Sequence, residues 1–236
     1  MRDIIAAGLE ELGLSQRVPP EAPELLEAYG RALLEKNQVM NLTAITEADD
    51  VARLHMLDSA ALLTLESFSG KSVVDVGTGA GFPGLPLRVL EPSIRLTLLD
   101  SLNKRIQFLE TVCRELDLPD VACVHARAEE FARQHREQFD IAASRAVAQL
   151  NVLCELALPL VKVGGQFLAM KSVDTDDEIQ RARSAIAQLG GKIGKIWDYT
   201  IPGTDVRHRM VIIRKERPTP AAYPRPFARI KKAPLG

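Results

Sequence analysis

The stretch Val73-Val74-Asp75-Val76-Gly77-Thr78-Gly79-Ala80-Gly81-Phe82-Pro83-Gly84 constrains the fold more than any other part of this chain. Val73, Val74 and Val76 are β-branched and favour a pleated, buried strand. The glycines that follow permit positive φ and close backbone approach, so the turn is shaped for something to sit against it. Pro83 suits the first turn of a helix, where a missing N–H costs nothing. Strand, glycine-dense turn and helix start together make the first βα unit of a nucleotide-binding α/β sheet. Its ligand would lie outside the strand's carboxyl end.

The glycine run admits two readings. Gly79 to Gly84 fits G-x-G-x-x-G, and Asp100 closes a second strand at the distance of a ribose-binding acid, which allows a nicotinamide-dependent oxidoreductase. Gly77 to Gly81, with Asp75 in front, also makes an acid-x-G-x-G-x-G pattern. That pattern resembles motif I of S-adenosylmethionine-dependent methyltransferases, where the acid ends the first strand. A cationic sulfonium and α-amino group favour an acid at that mouth; a pyrophosphate does not.

The rest of the chain bears on the choice. Amphipathic helices are expected over 2–14 and 23–36, separated by Pro19-Pro20, with a loop over 37–46. Thr46 is placed to N-cap a third helix, with Asp49 at the capping-box offset. On that helix His55 and Asp58 stand at i, i+3 and share a face, most simply as a local hydrogen bond. From Lys71 the pattern alternates: strands over 71–76, 94–100, 121–124 and 139–144, a helix over 102–116, and helices or turns near 129–134 and 149–156. Gly164-Gly165 opens a strand through Met170, and a charged helix covers 174–189. Strands over 193–201 and 208–214 then follow, joined by Pro202-Gly203, and must pair antiparallel. A mostly parallel sheet that ends in an antiparallel hairpin fits a Rossmann-like class I methyltransferase better than a dehydrogenase.

At 236 residues the chain has the size of one domain with appendages. The division expected is a helical extension over 1–66 packed on the core, a catalytic domain over 67–216 and a basic tail over 217–236. No apolar run is long enough to span a bilayer, and the N-terminus lacks the pattern of a secretory signal. Cys113, Cys123 and Cys154 have neither C-x-x-C spacing nor an even count, which implies a reducing, cytoplasmic setting and no metal site. Charge is uneven: residues 1–70 carry 12 acids against 5 bases, and residues 203–236 carry 2 against 9. That asymmetry suits an anionic partner at one face.

With these residues placed, the chain resembles the bacterial glucose-inhibited-division-protein-B family, the 16S ribosomal RNA guanine-N7 methyltransferases. The resemblance runs from Asn41-Leu42-Thr43 and His55-x-x-Asp58-Ser59 through the Asp75–Gly84 stretch to Ser144-Arg145-Ala146-Val147, with Asp100-Ser101 and Asn103-Lys104-Arg105 between them. It implies S-adenosylmethionine as cofactor, held by Gly77, Phe82, Asp100, Ser101, Leu102, Ala128, Glu129 and Arg145. Gly79 and Gly81 would let backbone approach the methionine portion, and Asp75 would face its amino-acid end. Asp100 would accept the ribose hydroxyls, and a backbone amide at Ala128-Glu129 would read the adenine edge. Arg145 would orient substrate or cofactor. The partner implied is 16S ribosomal RNA or the small ribosomal subunit, with no membrane and no metal. The tail departs from the family at Tyr223-Pro224-Arg225-Pro226-Phe227, yet Arg225, Arg229, Lys231 and Lys232 remain candidates for RNA phosphate.

Guanine N7 is a lone-pair acceptor in the neutral base, so attack on a methyl carbon needs no general base. A catalytic histidine or cysteine is accordingly not expected. The alternatives are a nicotinamide-dependent oxidoreductase and a non-catalytic RNA-binding or assembly factor on the same fold.

Overall fold

The computed structural model describes residues 1–145 and 148–236; Ala146 and Val147 of the Ser144-to-Val147 motif lie outside the described residues. Seven strands form one sheet in the order β3-β2-β1-β4-β5-β7-β6. They are β1 (Ser72–Val76), β2 (Arg95–Asp100), β3 (Ala122–His125), β4 (Phe139–Arg145), β5 (Val161–Ser172), β6 (Gly191–Thr200) and β7 (Arg207–Lys215). The first five run parallel; β7 pairs antiparallel with β5, and β6 antiparallel with β7. The expected hairpin ending is therefore present.

From β1 the chain steps outward through β2 and β3, then returns to β4 on the other side of β1. That reversal is where an open α/β sheet leaves a crevice beyond the strands' carboxyl ends. Side chains alternate across the sheet with period two. Val73, Leu98, Leu168 and Ile212 enter one core, and Val74, Leu99, Phe167 and Ile213 enter the other. Helices α1 (Arg2–Glu11), α2 (Ala22–Met40), α6 (Gly84–Leu90) and α7 (Asn103–Glu115) cover the first face. Helices α8 (Ala128–Gln134), α9 (Leu150–Ala157), α10 (Asp176–Gln188) and α11 (Phe227–Lys232) cover the second.

Three local readings differ from expectation. Helix α2 runs on to Met40 and stops where Asn41 turns left-handed at φ 48°, a conformation asparagine tolerates. The third helical run begins after Glu47 without a side-chain cap, so the Thr46–Asp49 box does not form. It passes from α3 (Ala48–Val51) through a π-helical turn, Ala52–Leu57, into α4 (Asp58–Ala60) and α5 (Leu62–Leu65). Gly164 and Gly165 lie inside β5 rather than at its start. Among the described residues no helix is long and apolar enough to cross a membrane.

Candidate functional site

The glycine turn closes on Asp75. This carboxylate is fully buried, and its Oδ2 accepts from the Thr78 hydroxyl at 2.7 Å and the Gly84 N–H at 2.8 Å. Oδ1 has no hydrogen-bond partner among the described residues. Burial pushes the Asp75 carboxyl up to about 6, against the two hydrogen bonds, which pull the other way. Asp75 does not line the cavity beside the turn. Asp75 braces the turn from beneath: period two in β1 aims it at α6, where its Oδ2 meets the Gly84 N–H.

Two glycines in the turn serve different ends. Gly79, at φ +62°, has nothing nearer than 4.0 Å where a Cβ would sit. Gly81, at φ +109°, would press a Cβ to 2.5 Å from the Tyr29 hydroxyl and 2.8 Å from Leu109. Gly79 leaves room at the cavity wall, whereas Gly81 lets α2 and α7 pack against the turn. Tyr29, buried in α2, donates its hydroxyl to the Ala80 carbonyl and stacks on Phe82 at 5.2 Å.

The cavity has a volume of about 810 Å³ and opens at the carboxyl ends of β1, β2 and β4. Gly77, Gly79, Phe82, Asp100, Ser101, Leu102 and Arg145 all line it, so the structure brings most of the expected residues together. Gly81, Ala128 and Glu129 do not line it; Glu129 is buried and accepts from Arg127 Nε at 2.8 Å. Asp100 is already engaged. Its Oδ2 accepts from the Gly79 N–H at 2.9 Å and Arg105 Nη1 at 3.2 Å, and its Oδ1 accepts from the Leu102 N–H at 2.9 Å. A carboxylate offers about four acceptor sites, so Oδ1 retains one for a ligand.

The opposite wall is a network the sequence reading only half anticipated. His55 and Asp58 do not bond each other; both bind Arg145 at the end of β4. Arg145 Nη1 donates to Asp58 Oδ2 at 3.2 Å and the Leu54 carbonyl at 3.1 Å, and Nη2 donates to His55 Nδ1 at 2.9 Å. Asp58 Oδ1 accepts from Tyr199 at 2.7 Å and His208 Nδ1 at 2.9 Å. Burial of Asp58 opposes its charge, but the His208 hydrogen bond, the Arg145 charge and the Tyr199 hydrogen bond outweigh it and hold the carboxyl below the usual range. A guanidinium only donates, so His55 Nδ1 accepts and Nε2–H donates to Thr43 Oγ1 at 2.8 Å. Burial first, then the Arg145 charge, lower the His55 pKa to about 3, so its ring is neutral. Phe82 sits among these groups, with His55 stacked at 4.4 Å and the Arg145 guanidinium 4.9 Å over its ring.

Tyr199 and His208 were missed by sequence reasoning. Their only signal was a tyrosine and a histidine at corresponding positions of the two hairpin strands, which the register now pairs directly. His125, at the end of β3, meets the Ser101 carbonyl at 3.1 Å and does not line the cavity.

The tail is folded rather than loose. Ile230 is fully buried, and Phe227 and Leu235 pack on the second core. Arg225 is not available to phosphate: its Nε and Nη2 clasp the buried Glu155 carboxylate at 2.8 and 2.6 Å. Arg229, Lys231 and Lys232 are exposed. The Arg127 guanidinium lies 4.5 Å over the Phe227 ring, and Asn151 donates to the Leu235 carbonyl at 2.7 Å. Arg127 follows β3 and Asn151 opens α9 after β4, so both anchors stand at the sheet's carboxyl edge.

A five-strand parallel sheet, a closing antiparallel hairpin and a glycine-walled cavity at the strand-order reversal define the Rossmann-like class I S-adenosylmethionine-dependent methyltransferase fold. Solved structures agree. M. jannaschii TYW2 in complex with AdoMet superposes with a TM-score of 0.55 at 13% identity, covering 68% of this chain and 76% of that one. TrmN from Thermus thermophilus gives a TM-score of 0.53 at 22% identity, covering 66% and 48%. The chain belongs to the rRNA small subunit methyltransferase G (GidB) family, whose sequence pattern matches residues 22–199. A relative named ribosomal RNA small subunit methyltransferase G, from Alkaliphilus metalliredigens (strain QYMF), is 46% identical over 235 residues, 98% of each chain. One of the same name from Clostridium botulinum (strain ATCC 19397 / Type A) is 46% identical over 213 residues, 89% of each.

The residues present fit an adenosyl cofactor. The cavity falls within the usual range for small-molecule sites, Gly79 leaves its wall open, and Asp100 keeps an acceptor at the end of β2.

Proposed function

We propose that this chain transfers a methyl group from S-adenosylmethionine to N7 of a guanine in 16S ribosomal RNA, met as free RNA or in the small ribosomal subunit. The observation that carries the reading is the cavity at the strand-order reversal, walled by Gly77, Gly79 and Asp100, in a member of a small-subunit rRNA methyltransferase family. Family membership disfavours both the oxidoreductase and the non-catalytic alternative.

When bound, S-adenosylmethionine supplies an electrophilic methyl carbon on a sulfonium. Gly77 and Gly79 offer backbone to its methionine portion, Asp100 Oδ1 accepts from the ribose, and Ser101 and Leu102 border the adenosine. Asp75 and Gly81 act one layer back, as supports for that wall, and Phe82 borders the cavity itself. Arg145 orients the reacting groups. Its charge is offset by Asp58, so a purine that becomes cationic on N7-methylation does not face an unpaired guanidinium. Neutral His55 adds no charge and is not required as a base. Catalysis rests on alignment, which supplies roughly 7–11 kcal/mol in well-oriented cases. The A-form major groove is too deep and narrow for side chains, so the target guanine is unpaired or splayed out. Arg229, Lys231 and Lys232 meet phosphate, each adding about −0.7 to the salt slope on a single strand.

Mapping N7-methylguanosine in ribosomal RNA from a deletion strain, with and without this chain restored, tests the reading. One N7-methylguanosine that disappears and returns with the chain is the expected result. An unchanged map overturns it.

A further inference from the structure

Beside the first cavity lies a second, of about 390 Å³, and Arg145 and His208 line both. Its remaining wall comes from the end of β5, at Lys171 and Ser172, and from α10, at Glu178. The Lys171 side chain is nearly buried: its Nζ donates to Glu178 Oε1 at 2.6 Å and to the Ala148 carbonyl at 2.6 Å. The Leu150 N–H donates to the same Oε1. Glu178 Oε1 is therefore held from two sides, while Oε2 takes no hydrogen bond among the described residues.

We propose that this second cavity receives the target base, and that Glu178 selects guanine by accepting from its N1–H and N2–H groups. The proposal rests on the guanine-N7 reading above. A purine's Watson–Crick edge lies opposite N7. A guanine anchored by that edge on Glu178 turns N7 away from α10, towards the wall of Arg145 and His208 that borders the cofactor cavity. Adenine would set its N1 lone pair against the carboxylate and is rejected by repulsion rather than by size. Lys171 and the Leu150 N–H fix the carboxylate's direction through Oε1 and leave Oε2 for the base. Recognition of an extruded base through its Watson–Crick edge in a fitted pocket is the general solution for enzymes that modify bases.

Inosine at the methylated position tests this, because it lacks the N2 amine but keeps N1–H and N7. Binding of guanosine and inosine RNAs is compared with S-adenosylhomocysteine present, for the wild type and Glu178→Ala. The expected result is about tenfold weaker inosine binding by the wild type, the loss of one hydrogen bond to a charged group, and no difference between the RNAs in Glu178→Ala. An inosine penalty that persists undiminished in the variant overturns the proposal. Ser172→Phe, a change at an exposed position, fills the cavity even if Glu178→Ala fails to fold. Methyl transfer should fall at least a hundredfold with cofactor affinity within twofold of wild type; wild-type transfer overturns the proposal. Failure of the functional reading shows itself separately, as a wild-type protein that methylates no guanine N7.

Discussion

Asp75 and Asp58 are both fully buried carboxylates, and the molecule holds them in opposite ways. Asp75 is braced by groups 3 and 9 residues away, Thr78 and the Gly84 N–H, and forms no ion pair among the described residues. Asp58 is reached by Arg145, Tyr199 and His208 from 87, 141 and 150 residues away. Burial wins at Asp75 and raises its pKa; partners win at Asp58 and lower it. The glycine turn is held at Asp75 from within its own βα unit and at Gly79 by Asp100 of the neighbouring strand. The Asp58 network exists only once the helical run before β1, strand β4 and the terminal hairpin have met. One wall of the cavity tests the local sequence, and the other tests the completed fold.

The largest effect should come from within the turn. Gly81→Val forces a side chain into the Gly-only region of φ and against Tyr29 and Leu109, costing about 2–6 kcal/mol from strain and overpacking together. Chemical denaturation should find it marginal or unfolded. Gly79→Val faces open space, so it should fold at a cost of about 1–3 kcal/mol for backbone strain alone. It should instead lose S-adenosylmethionine binding by calorimetry. Equal stability of the two variants would erase the division between packing glycine and cavity glycine.

Asp58→Ala comes next. It leaves the Arg145 guanidinium, 15% exposed, without its carboxylate and strands Tyr199 and His208. Breaking a buried pair from one side costs about 3–5 kcal/mol. Arg145→Ala should cost a similar amount, and the double variant clearly less than the two single costs combined. Additivity in that cycle would mean the wall is not a single network.

The same division decides what the sequence made legible. The strand at Ser72–Val76, the turn and the acid ending β2 were readable because their period, composition and spacing lie within thirty residues. The hairpin was readable because two strands with only a short turn between them have one way to pair. The roles of Asp75 and Gly81 were not. A motif shows that an acid or a glycine is needed, but not whether it faces ligand or core, which depends on α2 and α6 closing over it. Asp58 and His55 were visible as a helical pair, but a contact with Arg145 some ninety residues on leaves no trace in spacing. Arg225 looked like its basic neighbours; only the buried Glu155 beneath it shows that its charge is already taken.

Titration separates the two acids by sign. Asp75 has a folded pKa of about 6, above its unfolded value. Its contribution is therefore full below about pH 3.9 and is lost as pH rises through 6. Asp58 lies below its unfolded value, so its contribution is present above that value and is lost as pH falls through the folded one. Asp75→Asn keeps an acceptor for Thr78 and Gly84 and cannot ionise. Asp58 is common to both proteins and cancels from the difference. The stability advantage of wild type over Asp75→Asn should thus be greater at pH 4 than at pH 7, by up to roughly 3 kcal/mol at 1.4 kcal/mol per pH unit. A difference that does not change with pH would place the Asp75 carboxyl in contact with solvent or a cation.

The smallest effect concerns the chemistry itself. His55, like His208, lines the cavity, and a histidine there invites reading as a general base. Its geometry argues against that role. Nδ1 is occupied by the Arg145 donor, Nε2–H points at Thr43, and burial beside a guanidinium disfavours the imidazolium that base catalysis would create. Guanine N7 carries no proton to remove, so the chemical step has nothing to ask of His55. His55→Gln preserves a hydrogen-bonding group of similar reach, and single-turnover methyl transfer with saturating RNA should stay within a few-fold of wild type. Between about pH 6 and 9 the rate should also show no rising limb of the kind a required deprotonation produces. A rate that climbs tenfold per pH unit and collapses in His55→Gln would show that the acceptor loses a proton during transfer, which N7 of a neutral guanine cannot do.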